Sequence, residues 1–269
     1  MMLKAIGIIG ILSFGFQWLT GATERMMVYP FDTTQVSPAN AGVPNMREVL
    51  FESGGVTLVL WVAKPKAGKA TILYFHGNAG NLANRAPRFQ TFMDRGFGVV
   101  AMAYRGSSGS TGTPSQQDII KDAVNVYTSM PQLAGDSAVI FYGESLGTGV
   151  AVLSAGSKVM SGNAPDAIVL DSPYTSITDV ARHAYPQLGS AVNVLQDKWP
   201  TKDWIGGLDI PLLVLHGTKD ALIPIEMGRE VFDLSPAKDK IFHAVKGAGH
   251  NNVWQPQAKT ALFRFLSRF

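Results

Sequence analysis

Apolar positions change their spacing along the 269-residue chain, and each change marks a different element. Glu48 to Lys64 reads as two strands around Ser53-Gly-Gly, an antiparallel hairpin. Beyond it, short runs rich in Val, Ile, Leu and aromatics recur at Thr71–Phe75, Gly98–Ala103, Ala138–Tyr142, Ala167–Leu170, Leu212–Leu215 and Ile241–Val245. They are nearly continuous rather than alternating, as strands covered on both faces require. Helical spacing fills most intervals. Ser115 to Met130 places Ile119, Ile120, Ala123, Val124 and Tyr127 on one face, with Ser115 as N-cap and Asp118 three residues on. Ser145 to Met160, Glu226 to Leu234 and Lys259 to Phe269 read the same way. Strand–helix alternation predicts an α/β domain with a mostly parallel central sheet covered by helices on both faces. Residues 172–209 break the alternation, with no clear strand but Tyr174, Tyr185, Trp199 and Trp204. They read as a small helical cap over the carboxyl edge of the sheet, or as a long crossover helix.

The amino terminus follows a third pattern. Ala5 to Leu19 holds no charge, with Lys4 before it and Thr20-Gly-Ala22 after it. A charged start, an apolar stretch and a small-residue exit describe a secretory signal. A spanning helix needs about 20 apolar residues, so an uncleaved anchor fits as well, and an N-terminal core helix is the third reading. The expected organisation is therefore a hydrophobic signal or anchor over residues 1–22 and one domain over 23–269. The first two readings predict an exported or membrane-anchored protein, associated with the membrane through residues 3–19.

Composition narrows the chemistry. With no Cys there is no thiol nucleophile, disulfide, Cys-bound zinc or iron–sulfur cluster. Lys and Arg number 23 against 20 Asp and Glu, without a run or stripe, so nothing calls for nucleic acid. No G-x-G-x-x-G follows a strand, no H-E-x-x-H exists, and Lys66-Ala-Gly-Lys-Ala-Thr71 lacks the first glycine of a phosphate loop. No cofactor and no metal are expected. Ser235-Pro-Ala-Lys238 matches S-x-x-K only at a helix end, where it is a coincidence.

One motif carries chemistry. Gly143-Glu-Ser-Leu-Gly147 lies between an apolar run and a helical stretch, the context in which G-x-S-x-G forms a sharp strand-to-helix turn. The flanking glycines relieve crowding, and the turn lifts Ser145 Oγ clear of the sheet. A serine hydroxyl needs a base to become a nucleophile. Of five histidines, His250 suits best, on the glycine-bearing loop Lys246-Gly-Ala-Gly-His250 after the last strand. His243 lies inside a strand, His76 and His216 end strands beneath the site, and His183 falls in the cap segment. The imidazole needs a carboxylate. Asp220, on the loop after Leu212–Leu215, is favoured over Asp171. Oxyanion donors are expected from the backbone N–H groups of Leu146 and Asn78, with Gly77 allowing close backbone approach. Tyr174, at the start of the cap, is expected to contact substrate together with Gly77.

The segments HGNAGN, YRGSSGSTGTPS, GESLGTGVA, LDSPYTS, HGTKDALIP and GAGHNN together resemble the α/β-hydrolase superfamily, and within it the single-pass, N-terminally anchored α/β-hydrolase-domain proteins. The resemblance runs from about Met27 to the carboxyl terminus. It implies an α/β-hydrolase fold, a triad of Ser145, Asp220 and His250 in that chain order, and a Tyr104-Arg105-Gly106 loop bordering the site. The expected function is a serine hydrolase cleaving small-molecule or lipid carboxylic esters, with a short or medium acyl chain or an aromatic alcohol. Thioester, lysophospholipid and peptide hydrolysis use the same triad and stay open, as does a non-catalytic membrane-anchored binding module.

Overall fold

A computed structural model describes residues 21–160 and 162–269. The apolar segment 5–19, with its signal or anchor reading, lies outside the described residues. Among those described, no helix is long and apolar enough to cross a membrane.

The chain enters through a helix over residues 21–28 (α1). The hairpin follows as β1 (Arg47–Ser53) and β2 (Val56–Ala63), paired from Arg47↔Val62 to Ser53↔Val56. Then come β3 (Thr71–Phe75), α2 (Ala86–Asp94), β4 (Gly98–Met102), α3 (Gln116–Thr128), α4 (Met130–Ala134), β5 (Val139–Glu144) and α5 (Leu146–Ala155). The second half runs β6 (Ala167–Asp171), α6 (Ile177–Ala184), a 3-10 segment Pro186–Val194, α7 (Thr201–Ile205), β7 (Leu212–Gly217), α8 (Ile225–Leu234), β8 (Lys240–Val245) and α9 (Pro256–Leu266).

The strands form one sheet in the order β1-β2-β4-β3-β5-β6-β7-β8, antiparallel at β1–β2 and β2–β4 and parallel elsewhere. Burial explains the continuous apolar runs: every residue of β3, β4, β6 and β7 is buried. Two apolar clusters account for this, one on each sheet face. One contains Ile119, Leu133, Val150, Ile205 and Val231 from α3, α4, α5, α7 and α8; the other contains Phe89, Phe92, Leu262 and Phe265 from α2 and α9.

Three local differences have physical causes. β8 is an edge strand, and Ile241 is exposed there, so its apolar run is not covered on both faces. The stretch from Ser145 to Met160 is helical to Ala155 and resumes only as a 3-10 turn at Lys158–Met160, because the Gly156 region closes the helix. Helix α2 was not anticipated. Pro87 reads as a breaker, yet it sits in the first turn, where a missing N–H costs nothing.

Strand order reverses between β3 and β5, since β4 lies outside β3 while the later strands continue beyond β5. In open α/β sheets the crevice for ligands forms at the carboxyl ends of such strands. Here those ends lead into His76-Gly77-Asn78 and into Ser145.

Candidate active site

Ser145 is the residue between β5 and α5, with φ 51° and ψ −115°. A non-glycine residue pays about 1–3 kcal/mol for such a conformation, so the surroundings must hold it. They do so through glycine. A Cβ on Gly143 would run into the Gly147 carbonyl, and one on Gly147 into the Phe75 carbonyl. The Ser145 N–H donates to the Asp171 carbonyl at 2.8 Å, which pins the turn to the neighbouring strand.

His250 follows the β8 loop and brings its Nε2 to 2.9 Å from Ser145 Oγ. Its Nδ1 lies 2.8 Å from Asp220 Oδ2. Asp220 is an acceptor here. Burial alone would raise its pKa, but hydrogen bonds from His250 and the Ile223 N–H outweigh burial and hold the carboxyl below its usual value. Its Oδ1 also accepts from the Leu222 N–H at 3.0 Å and the Ile223 N–H at 2.8 Å. A carboxylate at Nδ1 fixes the proton there, leaving Nε2 free to accept from Ser145. Serine, imidazole and carboxylate thus form one hydrogen-bonded chain.

Among the described residues no other histidine reaches Ser145, although His216 Nε2 lies 3.6 Å from Asp220 Oδ2. His76 is buried, bonds the Gly77 carbonyl at 2.7 Å through Nδ1, and is pushed down to about 3 by burial with Arg85 adding to it. His216 is buried, donates from Nε2 to the Ile223 carbonyl at 2.8 Å, and is lowered by burial. Both are therefore neutral supports under the loops. His243 is on the edge strand, and His183 reaches the Ala221 carbonyl at 3.3 Å from the exposed face of α6.

Two cavities meet at Ser145. The larger, about 360 Å³, is mostly apolar and is lined by Met27, Val28, Asn78, Leu146, Tyr174 and residues of α6 and the 3-10 segment. Asn78 and Leu146 line this cavity together with the serine, and a Cβ on Gly77 would lie 3.4 Å from Ser145 Cβ. Tyr174 also donates to the Leu146 carbonyl at 3.2 Å. The smaller cavity, about 60 Å³, is polar and is lined by Arg88, Glu144, Asp171, Ser172, His250 and Asn251 besides Ser145.

The Tyr104-Arg105 pair does not line either cavity. Tyr104 donates to the His76 carbonyl at 2.8 Å, and Arg105 grips Asp122 at 2.7 and 3.0 Å. Asp171 is not the carboxylate that His250 bonds. Its carboxylate accepts from Arg88 at 2.8 Å and from Tyr142 at 3.0 Å.

Sequence reasoning missed two groups. Arg85, ending the 3-10 turn Leu82–Arg85 just before α2, and Arg88, in the first turn of α2, hold Glu144 and Asp171 behind the serine. The signal for the second group was present. Ile177, Val180, Ala181 and Ala184 repeat at helical spacing behind the Ser176–Asp179 cap, and all four line the large cavity. The segment after α6 is tied to α1 and the residue just past it: Glu24 accepts from the Gln196 and Asp197 N–H groups at 2.9 and 2.8 Å, and Tyr29 donates to Asp197 at 2.7 Å.

Comparison with known proteins agrees with this architecture. The family described as serine aminopeptidase, S33 matches residues 66–204. Lysophosphatidylserine lipase ABHD12 of Macaca fascicularis is 30% identical over 229 residues, 74% of this chain and 56% of that protein. The chain therefore spans little more than half the length of that relative. The uncharacterized protein Rv2307c of Mycobacterium tuberculosis is 30% identical over 258 residues, 93% of this chain and 88% of its own. Among solved structures, the Pyrococcus furiosus esterase Pf2001 superposes with a TM-score of 0.73 at 17% identity, covering 90% of this chain and 97% of that one. Est1E from Butyrivibrio proteoclasticus, solved with ferulic acid bound, gives 0.65 at 16% identity, covering 81% and 99%.

Proposed function

We propose, from the premise that this chain belongs to the serine aminopeptidase S33 family of α/β-hydrolases and is a serine hydrolase, that it cleaves carboxylic esters of single-chain lipids through an acyl-enzyme on Ser145. The observation that carries the reading is the hydrogen-bonded chain Ser145–His250–Asp220 opening onto an apolar chamber. His250 Nε2 takes the Ser145 proton as Oγ attacks the acyl carbon, and then gives it to the leaving alcohol. Asp220 holds the imidazole and stabilises its cationic form. The Leu146 and Asn78 N–H groups receive the oxyanion; losing one such donor costs about 3 kcal/mol of transition-state stabilisation. Water then releases the acid with His250 again as base.

The chamber supports the ester and lipid reading over a peptide one, because its wall is apolar and an aliphatic chain is what it desolvates well. A lysophosphatidylserine lipase among the relatives supports the same class. Residues 172–209 act as the cap that forms the chamber wall, and Tyr174 and Gly77 border the bound ester. Residues 3–19 attach the protein to a membrane, and the exposed Met27 and Leu188 on the chamber wall are suited to a lipid surface.

Labelling with a serine-directed fluorophosphonate tests the nucleophile. Wild type is expected to label and Ser145→Ala not to; equal labelling of the two sinks the reading. Hydrolysis of monoacyl glycerophospholipids by wild type, set against a peptide amide series, tests the substrate class. Extraction of the full chain from membranes at alkaline pH tests attachment, and release into the soluble fraction would refute it.

A further inference from the structure

The acyl-enzyme read from Ser145 leaves one partner unassigned: the water that ends the reaction. An acyl chain lying in the large chamber blocks that side of the ester. The attacking water must then reach the acyl carbon from elsewhere, within reach of His250 Nε2. The small polar cavity also borders Ser145, and His250 lines it too. Its volume of about 60 Å³ corresponds to roughly two waters at ~30 Å³ each.

Most polar groups of this cavity are already engaged. Arg88 is held by Asp171 and Glu144, and Glu144 by Arg85 as well. Ser172 is different. It lines the cavity, is 2% exposed, and its hydroxyl has no hydrogen-bond partner among the described residues. A buried hydroxyl without a partner costs about 1–3 kcal/mol, so such a group in a polar cavity points to a ligand that satisfies it. Its placement is also fixed. Glu144 and Asp171 are register partners on β5 and β6, so Ser145 and Ser172 are the next residues of adjacent strands. Both have positive φ, 51° and 57°. The Ser172 N–H donates to the Leu215 carbonyl at 2.8 Å, which locks the second serine beside the first.

We propose that the cavity between β5 and β6 holds the deacylating water and that Ser172 Oγ is its positioning residue. The proposal rests on the acyl-enzyme reading. In the step, the water oxygen forms a bond to the acyl carbon of the Ser145 ester while His250 Nε2 takes one of its protons. Ser172 Oγ accepts a hydrogen bond from the other. The tetrahedral intermediate then breaks its bond to Ser145 Oγ, His250 returns the proton to that oxygen, and the carboxylic acid leaves.

The test is partition of the acyl group between water and added hydroxylamine, read as the ratio of hydroxamate to acid. In wild type the ratio should be the same for p-nitrophenyl and phenyl esters of one acid, since both pass through one acyl-enzyme. A ratio that changes with the leaving group overturns the acyl-enzyme itself. Ser172→Gly removes the hydroxyl and suits the left-handed backbone. It should slow attack by water about tenfold, the factor that about 1.4 kcal/mol represents, while leaving the stronger nucleophile less affected. The ratio should therefore rise about tenfold, and Ser172→Ala should give the same rise. A purely structural role would lower both products together. A common wild-type ratio that neither variant moves overturns the water site and leaves the acyl-enzyme standing.

Discussion

Glu144 stands next to Ser145 in the chain, yet its carboxylate is turned into the protein and gripped by Arg85, Nη2 to Oε1 at 3.0 Å and Nε to Oε2 at 3.2 Å. Tyr74 donates to the same carboxylate at 2.5 Å. The residue inside the G-x-S-x-G motif therefore belongs to a buried charged layer that backs the serine and extends through Arg88 to Asp171.

That layer predicts acid sensitivity. Burial alone would raise the Glu144 carboxyl, but Arg88 and Arg85 outweigh it and bring it from 4.5 to about 2. A carboxyl held below its unfolded value adds stability above the unfolded pKa, and loses it as pH falls through the folded one. Folding stability should therefore decline between about pH 4.5 and 2. Asp171, which burial pushes up, acts in the opposite sense over its own window. Glu144→Gln strips the arginines of a buried partner and should cost about 3 kcal/mol at pH 7. It should also flatten the acid decline. Urea unfolding of both proteins across pH 2–7 checks this; parallel curves would refute the linkage.

The carboxylate at the far end of the hydrogen-bonded chain should matter through the imidazole it orients. Asp220→Asn keeps the shape but puts an amide beside His250 Nδ1, which no longer fixes the proton there. We expect kcat to fall by about 10⁴, with KM little changed. Ser145→Ala should fall about as far or further. Asp220 also accepts two N–H groups of its own loop, so the variant should be checked for an unchanged unfolding midpoint.

Legibility followed locality. Ser145, Asp220 and His250 are legible as candidates because each sits in a short segment just past an apolar strand, and the strand order brings their side chains within hydrogen-bond reach. The charged layer could not. Arg85 meets Glu144 across 59 positions from the turn before α2, and Arg88 meets Asp171 across 83 from α2 itself, whose first-turn proline masked the helix. Residues 172–209 were legible as an interruption but not as a chamber wall. Helix α6 buries no residue fully, so its apolar stripe faces a cavity where a core was the ordinary expectation. The strand runs were legible wherever both faces are covered and misleading at β8, where an edge leaves Ile241 exposed.

The turn that presents Ser145 depends on backbone approaching backbone. A side chain at Gly147 would meet the Phe75 and His76 carbonyls, which no rotamer change can move aside. Gly147→Ala should push α5 away from β3 and destabilise the fold by about 3 kcal/mol, the upper range for an overpacked core. Activity should drop with it, because Leu146 and Ser145 ride on the same turn. Denaturant midpoint and esterase rate measured on one preparation check the pair. A full-stability Gly147→Ala protein would mean that the contact is not rigid.

The chamber wall makes a quantitative prediction about chain length. Burying one methylene is worth about 0.8 kcal/mol, or about fourfold in kcat/KM. In a p-nitrophenyl ester series, wild type should gain by up to that factor per methylene until the chain fills the cavity, and then level off. Ala181 is half-buried on the wall of α6, one turn from Ile177 and Ala184. Ala181→Phe adds a ring where the chain would lie, without touching the Ser145–His250–Asp220 hydrogen bonds. The levelling-off should then come at a shorter ester, while kcat/KM for the acetate and the rate of fluorophosphonate labelling stay within about twofold of wild type, the size of a surface change of a few tenths of a kcal/mol. If the variant keeps the wild-type chain-length profile, the acyl chain does not lie along α6.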